Sequence, residues 1–120
     1  MDMDLRSSTR AAVTYPVRLS SDSKTGQGTV INLSVPGCAI ETDLPVQPGD
    51  YLELLVMVPD QARPLTVGLA KVRWATQQKV GIEFIRVHRD DQSRIQRLIR
   101  RLLDESTVEA GADTRELAAA

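Results

Sequence analysis

The 120-residue chain holds one cysteine, one histidine and only 3% aromatic residues, and each scarcity narrows what it can do. With Cys38 alone, no internal disulfide forms and no multi-cysteine metal cluster exists, which points to a reducing compartment. Cys38 lies between Gly37 and Ala39 in a short apolar stretch and reads as a small buried hydrophobe. His88 has no serine or cysteine spaced to stand beside it as a nucleophile, so neither a catalytic pair nor a metal site is supported. It reads as a surface or packing residue. The few aromatics give no row of stacking platforms for single-stranded nucleic acid. Basic charge is not in excess either: 15 Lys and Arg against 16 Asp and Glu leave a net charge of −1, which provides no overall field to hold a duplex. The longest apolar run, Leu54 to Pro59, is far too short to span a bilayer. The first ten residues, MDMDLRSSTR, carry acids where a secretory leader needs basic residues, so the expectation is a cytoplasmic, non-enzymatic chain without membrane insertion.

What is present is the makings of one globular domain. Hydrophobic residues reach 42% and charged residues 26%, enough to bury a single core, arranged as a barrel or a sandwich. From Ala11 to about Val87 short segments rich in Val, Ile, Leu and Thr alternate with Gly, Pro, Asp and Ser clusters, the rhythm of strands and turns. The pattern predicts strands near 11–20, 28–33, 38–41, 51–58, 65–74 and 80–87, with a polar loop over 21–26. Pro36-Gly37 suits a type II turn in which the glycine takes positive φ, and Pro48-Gly49-Asp50 and Pro59-Asp60 punctuate the next strands. In the fifth segment Leu65, Val67 and Leu69 share one parity while Val72 and Trp74 share the other. That switch predicts a bulge near Ala70, with Trp74 facing the core. In the sixth, Val80, Ile82 and Phe84 form the core face.

After His88 the period changes. Ile95, Leu98, Ile99, Leu102 and Leu103 follow the spacing of an amphipathic helix, with Asp90 or Asp91 placed to cap it. Arg94, Arg97, Arg100 and Arg101 fall on its other side and read as a solvated basic face. Three parts follow: a flexible arm over 1–10, a folded unit over 11–103, and a mobile or partly helical tail over 104–120 with little to bury.

Two motifs remain. Arg6-Ser7-Ser8-Thr9-Arg10 sets two arginines four apart just before the first strand, and Asn32-Leu33-Ser34-Val35-Pro36-Gly37 is an [Asp/Asn]-x-Ser-x-x-Gly pattern at the next bend. Taken singly, the first is ordinary for an Arg-rich chain and the second is hairpin punctuation, with Asn32 and Ser34 bonding local backbone. In this order the pair resembles the PilZ family, over about Leu5 to Leu103. Val72-Arg73-Trp74 and Val80-Gly81-Ile82-Glu83-Phe84 look like that family's late strand pair, followed as there by a C-terminal helix.

The resemblance implies a mainly β fold, a six-stranded antiparallel β-barrel with a C-terminal α-helix. It also implies a cyclic di-GMP receptor that signals to a separate effector protein, with the dinucleotide as ligand and no cofactor. The alternative within the family is an interaction module that binds no nucleotide. The implied ligand residues are Arg6, Arg10, Asn32, Ser34 and Gly37. Their chemistry suits such a ligand, because a guanidinium is a planar fork for guanine O6 and N7 or for two phosphate oxygens. The Asn32 carbonyl and Ser34 hydroxyl are acceptors for guanine N1–H and its amine, and Gly37 allows close backbone approach.

Overall fold

The structure, a computed structural model, describes residues 9–113, with side chains placed through residue 105. Six strands, β1 (Ala11–Ser20), β2 (Thr25–Leu33), β3 (Gly37–Thr42), β4 (Tyr51–Val56), β5 (Leu65–Ala75) and β6 (Lys79–Arg86), precede one helix, α1 (Arg89–Asp113). The strands pair antiparallel in the order β1-β2-β3-β6-β5-β4, and the pairing of β4 with β1 closes the barrel. Closure leaves the sheet with no unpaired edge.

Alternation drives this arrangement. Tyr15, Val17 and Leu19 of β1 point inward, as do Leu52, Leu54 and Val56 of β4. They meet Val30, Leu33, Ile40, Leu65, Val67, Val72, Val80 and Ile82 in one core. Each such side chain taken fully from water contributes roughly 1.5–3 kcal/mol before the chain entropy is subtracted.

The strands differ from the sequence reading mainly at their ends. β2 begins at Thr25, so the loop shortens to 21–24, closed by Ser21 N–H on the Lys24 carbonyl at 2.8 Å. β4 ends at Val56, although Val58 stays buried. The bulge expected near Ala70 is present: the register shifts between Leu52 and Leu54 on β4 and again between Leu69 and Ala70 against β6. A second shift falls between Val72 and Trp74, and it corrects one expectation. The extra residue, Arg73, turns Trp74 outward, leaving it 45% exposed. Phe84 is partly buried and packs against the core. The type II turn is also corrected: positive φ occurs at Asp60 and Gly49, not at Gly37.

The helix closes one side of the barrel. Ile95, Leu98 and Ile99 are buried, and α1 lies against β5 and β1. Burial raises the Tyr15 phenol pKa, with the Arg101 charge pulling it down and Glu105 pushing it up, which places the helix over β1. His88 caps the helix in place of Asp90 or Asp91: its Nδ1 accepts the Asp90 N–H at 3.1 Å and its carbonyl accepts the Gln92 N–H at 2.8 Å. The helix runs past Asp104, the boundary expected for the tail.

Arg94 also departs from the expected solvated face. Its side chain is 11% exposed and donates to the Asp91 carboxylate and the Pro64 carbonyl, each at 3.0 Å. Its other terminal nitrogen reaches the Gln61 side chain and the Arg63 carbonyl at 2.6 Å. One planar fork thus staples the loop before β5 to the helix. Arg94→Ala is expected to cost about 3 kcal/mol by leaving the Asp91 charge and two carbonyls without their donor. Urea denaturation reads that loss, and Arg94→Lys should recover less than half of it.

Candidate functional site

Arg10 of the first motif meets the second at one end of the β1–β2 pair. Ala12 is the register partner of Asn32, so Arg10, two residues earlier, stands beside the end of β2. Its Nη1 donates to Asn32 Oδ1 at 2.7 Å. The bond joins residues 22 apart in sequence and leaves the rest of the Arg10 fork and the Asn32 amide group for other partners. Arg6 lies outside the described residues.

Ser34 and Gly37 form the bend itself. Ser34 N–H donates to the Gly37 carbonyl at 2.8 Å, and Ser34 Oγ donates to the same oxygen at 3.0 Å. Ser34 is 1% exposed, so its hydroxyl faces the bend and away from solvent. Phe84 N–H donates to the Pro36 carbonyl at 2.9 Å, tying the bend to β6. A Cβ at Gly37 would run into the Ile82 carbonyl. The close approach that Gly37 permits is therefore to the neighbouring strand.

A lateral row extends from this point. Asn32 pairs with Ala39, Ala39 with Gly81, and Gly81 with Trp74. Cys38 and Ile40 face the core on either side of Ala39, so the row faces outward. Ala39 and Gly81 project almost nothing, and the Trp74 indole lies over Gly81, where a Cβ would strike it. The result is a floor across β2, β3, β6 and β5, about 14 Å wide at the usual strand spacing, in which Ala39 is nearly covered and Gly81 lies under the ring. Arg10 and Asn32 border it on one side and an aromatic ring on the other. Arg73, next to Trp74 in sequence, pairs with Glu83.

Sequence reading missed Trp74 because parity put it inside. The available signal was a glycine on the adjacent strand, since an aromatic side chain commonly covers such a gap. With Trp74 outside, one aromatic platform stands on this face, against the row that single-strand binding needs. Cys38 behaves as read: burial pushes its thiol pKa up to about 12, against a smaller downward pull from Arg10, so it stays protonated and unreactive.

Two larger depressions lie elsewhere. A cleft of about 900 Å³ is lined by residues that include Ser20, Lys24, Tyr51, Glu53, Leu69 and Ile85. Another of about 770 Å³ runs between α1 and the loop before β5. Neither contains Arg10, Asn32, Ser34 or Gly37. Of the described motif residues, Arg10 is exposed and Asn32 partly exposed on the barrel wall, while Ser34 and Gly37 are buried. No helix among the described residues is long and apolar enough to cross a membrane.

Comparison with known proteins agrees with this fold. The fold is similar to the PilZ domain of YcgR with c-di-GMP from Escherichia coli, at TM-score 0.65 and 16% identity, covering 86% of this chain and 95% of that one. It is similar to the PilZ domain of CeSA from a cellulose-synthesizing bacterium, at TM-score 0.63 and 20% identity, covering 79% and 98%. It also resembles MotI, the inhibitor of motility of Bacillus subtilis, at TM-score 0.66 and 23% identity, covering 79% of this chain. The match spans 50% of MotI, half of that protein's length. No curated protein sequence matches the chain. The family model for the PilZ domain matches residues 4–101. The chain belongs to the PilZ domain family.

Proposed function

We propose that the chain is a cytoplasmic cyclic di-GMP receptor that catalyses nothing itself and relays ligand binding to a separate effector protein. The observation that carries this reading is the Arg10–Asn32 contact at 2.7 Å, which joins the root of the arginine arm to the polar bend. The similarity to a YcgR domain bearing c-di-GMP supports the choice of ligand.

The chemistry follows from the groups in place. In the free chain Arg10 occupies the Asn32 carbonyl. A guanine edge offering N1–H and its amine competes for that acceptor, and the freed guanidinium then turns to a phosphate or to O6 and N7. Arg6 is four residues upstream, within about 14 Å even if the chain is extended, so the floor is in its reach. Ser34 and Gly37 serve by fixing the bend on which Asn32 stands. Trp74 supplies a π-face for one base. Because Arg10 exchanges one partner for another, ligand has differential affinity for two arrangements of the arm, the requirement for a switch.

Titration calorimetry tests this reading. Saturable binding of cyclic di-GMP with a Kd at or below about 10 μM is expected. Absence of heat at millimolar ligand would favour the interaction module that binds no nucleotide. Trp74 is the only tryptophan, so its emission reports on the floor directly. Binding should quench or shift it, and Trp74→Ala should weaken affinity about tenfold, within the range for one base stacked on an aromatic ring.

A further inference from the structure

The cleft between α1 and the loop before β5 has no part in the dinucleotide site. Its volume is about 770 Å³, and Arg63 on the loop faces Arg97 and Arg101 on the helix across it. All three arginines are exposed, and no ion pair with a described residue neutralises any of them. In a chain of net charge −1, this is a local concentration of positive charge. Both walls are held in place: Leu98 is buried on the floor, and Arg94 bonds the Arg63 and Pro64 carbonyls from the helix side. Arg63 is thereby fixed opposite Arg97 at the backbone. Asp90 and Ser93 line the same cleft, so its charge is graded along α1, with an acid nearer the start of the helix and arginines farther on.

We propose that this cleft docks an acidic segment of a partner protein, a helix or extended strand whose carboxylates pair with Arg63, Arg97 and Arg101. Arg97 and Arg101 are four apart on α1 and so about 6 Å from each other, the spacing of acids at i and i+4 on an opposing helix. Guanidinium forks match carboxylates bidentately. A membrane surface fits poorly, because the site is concave and the exposed large apolar residues Tyr51, Met57, Trp74 and Ile85 do not line it. Nucleic acid fits poorly because no aromatic residue lines the cleft. The inference builds on the adaptor reading, which requires an output surface, and the two fail separately since the cleft shares no residue with the dinucleotide site.

The test is fluorescence anisotropy on the full chain with a fluorescein-labelled dodecapeptide of alternating glutamate and alanine. Wild type should bind it saturably at low salt, with a Kd below about 100 μM. R97E/R101E should lose at least tenfold in affinity, and R63E, on the other wall, should lose at least threefold. The control R18E/R86E, with the same change in net charge, should differ less than twofold. Each cleft variant should keep the far-ultraviolet circular dichroism and the urea midpoint of wild type, which shows that it is folded whether or not the chain binds cyclic di-GMP. Three results would overturn the assignment: no saturable binding, equal losses in the control, or tighter Arg97- and Arg101-dependent binding of a single-stranded dodecanucleotide or of anionic phosphatidylserine vesicles.

Discussion

Arg10→Ala is expected to reduce cyclic di-GMP affinity at least about 100-fold, the equivalent of two charge-assisted hydrogen bonds. The size of the effect comes from position. The Arg10 side chain already touches the bend, through Asn32, so its removal takes away both a phosphate or guanine partner and the group that orients the Asn32 amide. Arg97→Ala, exposed on α1, should leave affinity unchanged. Equal losses at both positions would mean general attraction of an anionic ligand, and that outcome would be screened out by salt. Calorimetry on the three proteins at two ionic strengths makes the distinction.

Gly37→Ala should act through the fold. The added methyl has no space, because it meets the Ile82 carbonyl on β6, and backbone on both sides is fixed by the ladder from Gly37 to Glu83 and Cys38 to Ile82. Separation of β3 from β6 at this point also strains the Pro36 carbonyl bond to Phe84. A loss of about 3 kcal/mol in folding stability is expected, at the upper end for overpacking since backbone cannot rotate aside as a side chain does. Chemical denaturation of Gly37→Ala beside wild type measures it. A variant of wild-type stability that failed to bind ligand would assign Gly37 to direct contact with the dinucleotide.

These two expectations show where sequence patterning carried information and where it stopped. Strands β1, β4 and β5 were legible because inward and outward residues alternate along most of their length, the other strands because turn residues bound short β-prone runs, and the helix because its apolar residues recur at helical spacing. The bulge at Ala70 was legible too, since three apolar residues on one parity precede it and two follow on the other. The shift at Arg73 was not, because Trp74 and Ala75 alone follow it in β5. That is too short a stretch to reveal a change of face. Partners distant from a residue's own element were not legible. Ser34, besides having the chemistry of a ligand acceptor, donates within its own bend to the Gly37 carbonyl. Arg94 has the helical position of a solvated residue, yet its partners arrive from a loop about thirty residues earlier. Helical periodicity cannot register a partner so distant in sequence. What the motifs did convey was proximity, and the Arg10–Asn32 bond gives it a physical form.

The proposed site also differs from a preformed cavity in what it asks of the ligand. Arg10, Asn32, Ser34 and Gly37 line neither of the two clefts, so little affinity comes from enclosure. Most must come from groups that reorganise, namely Arg6, Arg10 and Asn32. On the proposed reading, coupling between ligand binding and the surface seen by an effector would follow from the binding mode, since filling the site would displace Arg10 from Asn32.

The most direct measurement is the amide and indole spectrum of the isotopically labelled chain during titration with cyclic di-GMP. The account predicts that the largest shifts fall on Arg10 to Ala12, Asn32 to Gly37, Gly81 and the Trp74 indole, together and at one saturating concentration. Shifts confined to the cleft around Tyr51, Leu69 and Ile85, or no shifts at millimolar ligand, would contradict it.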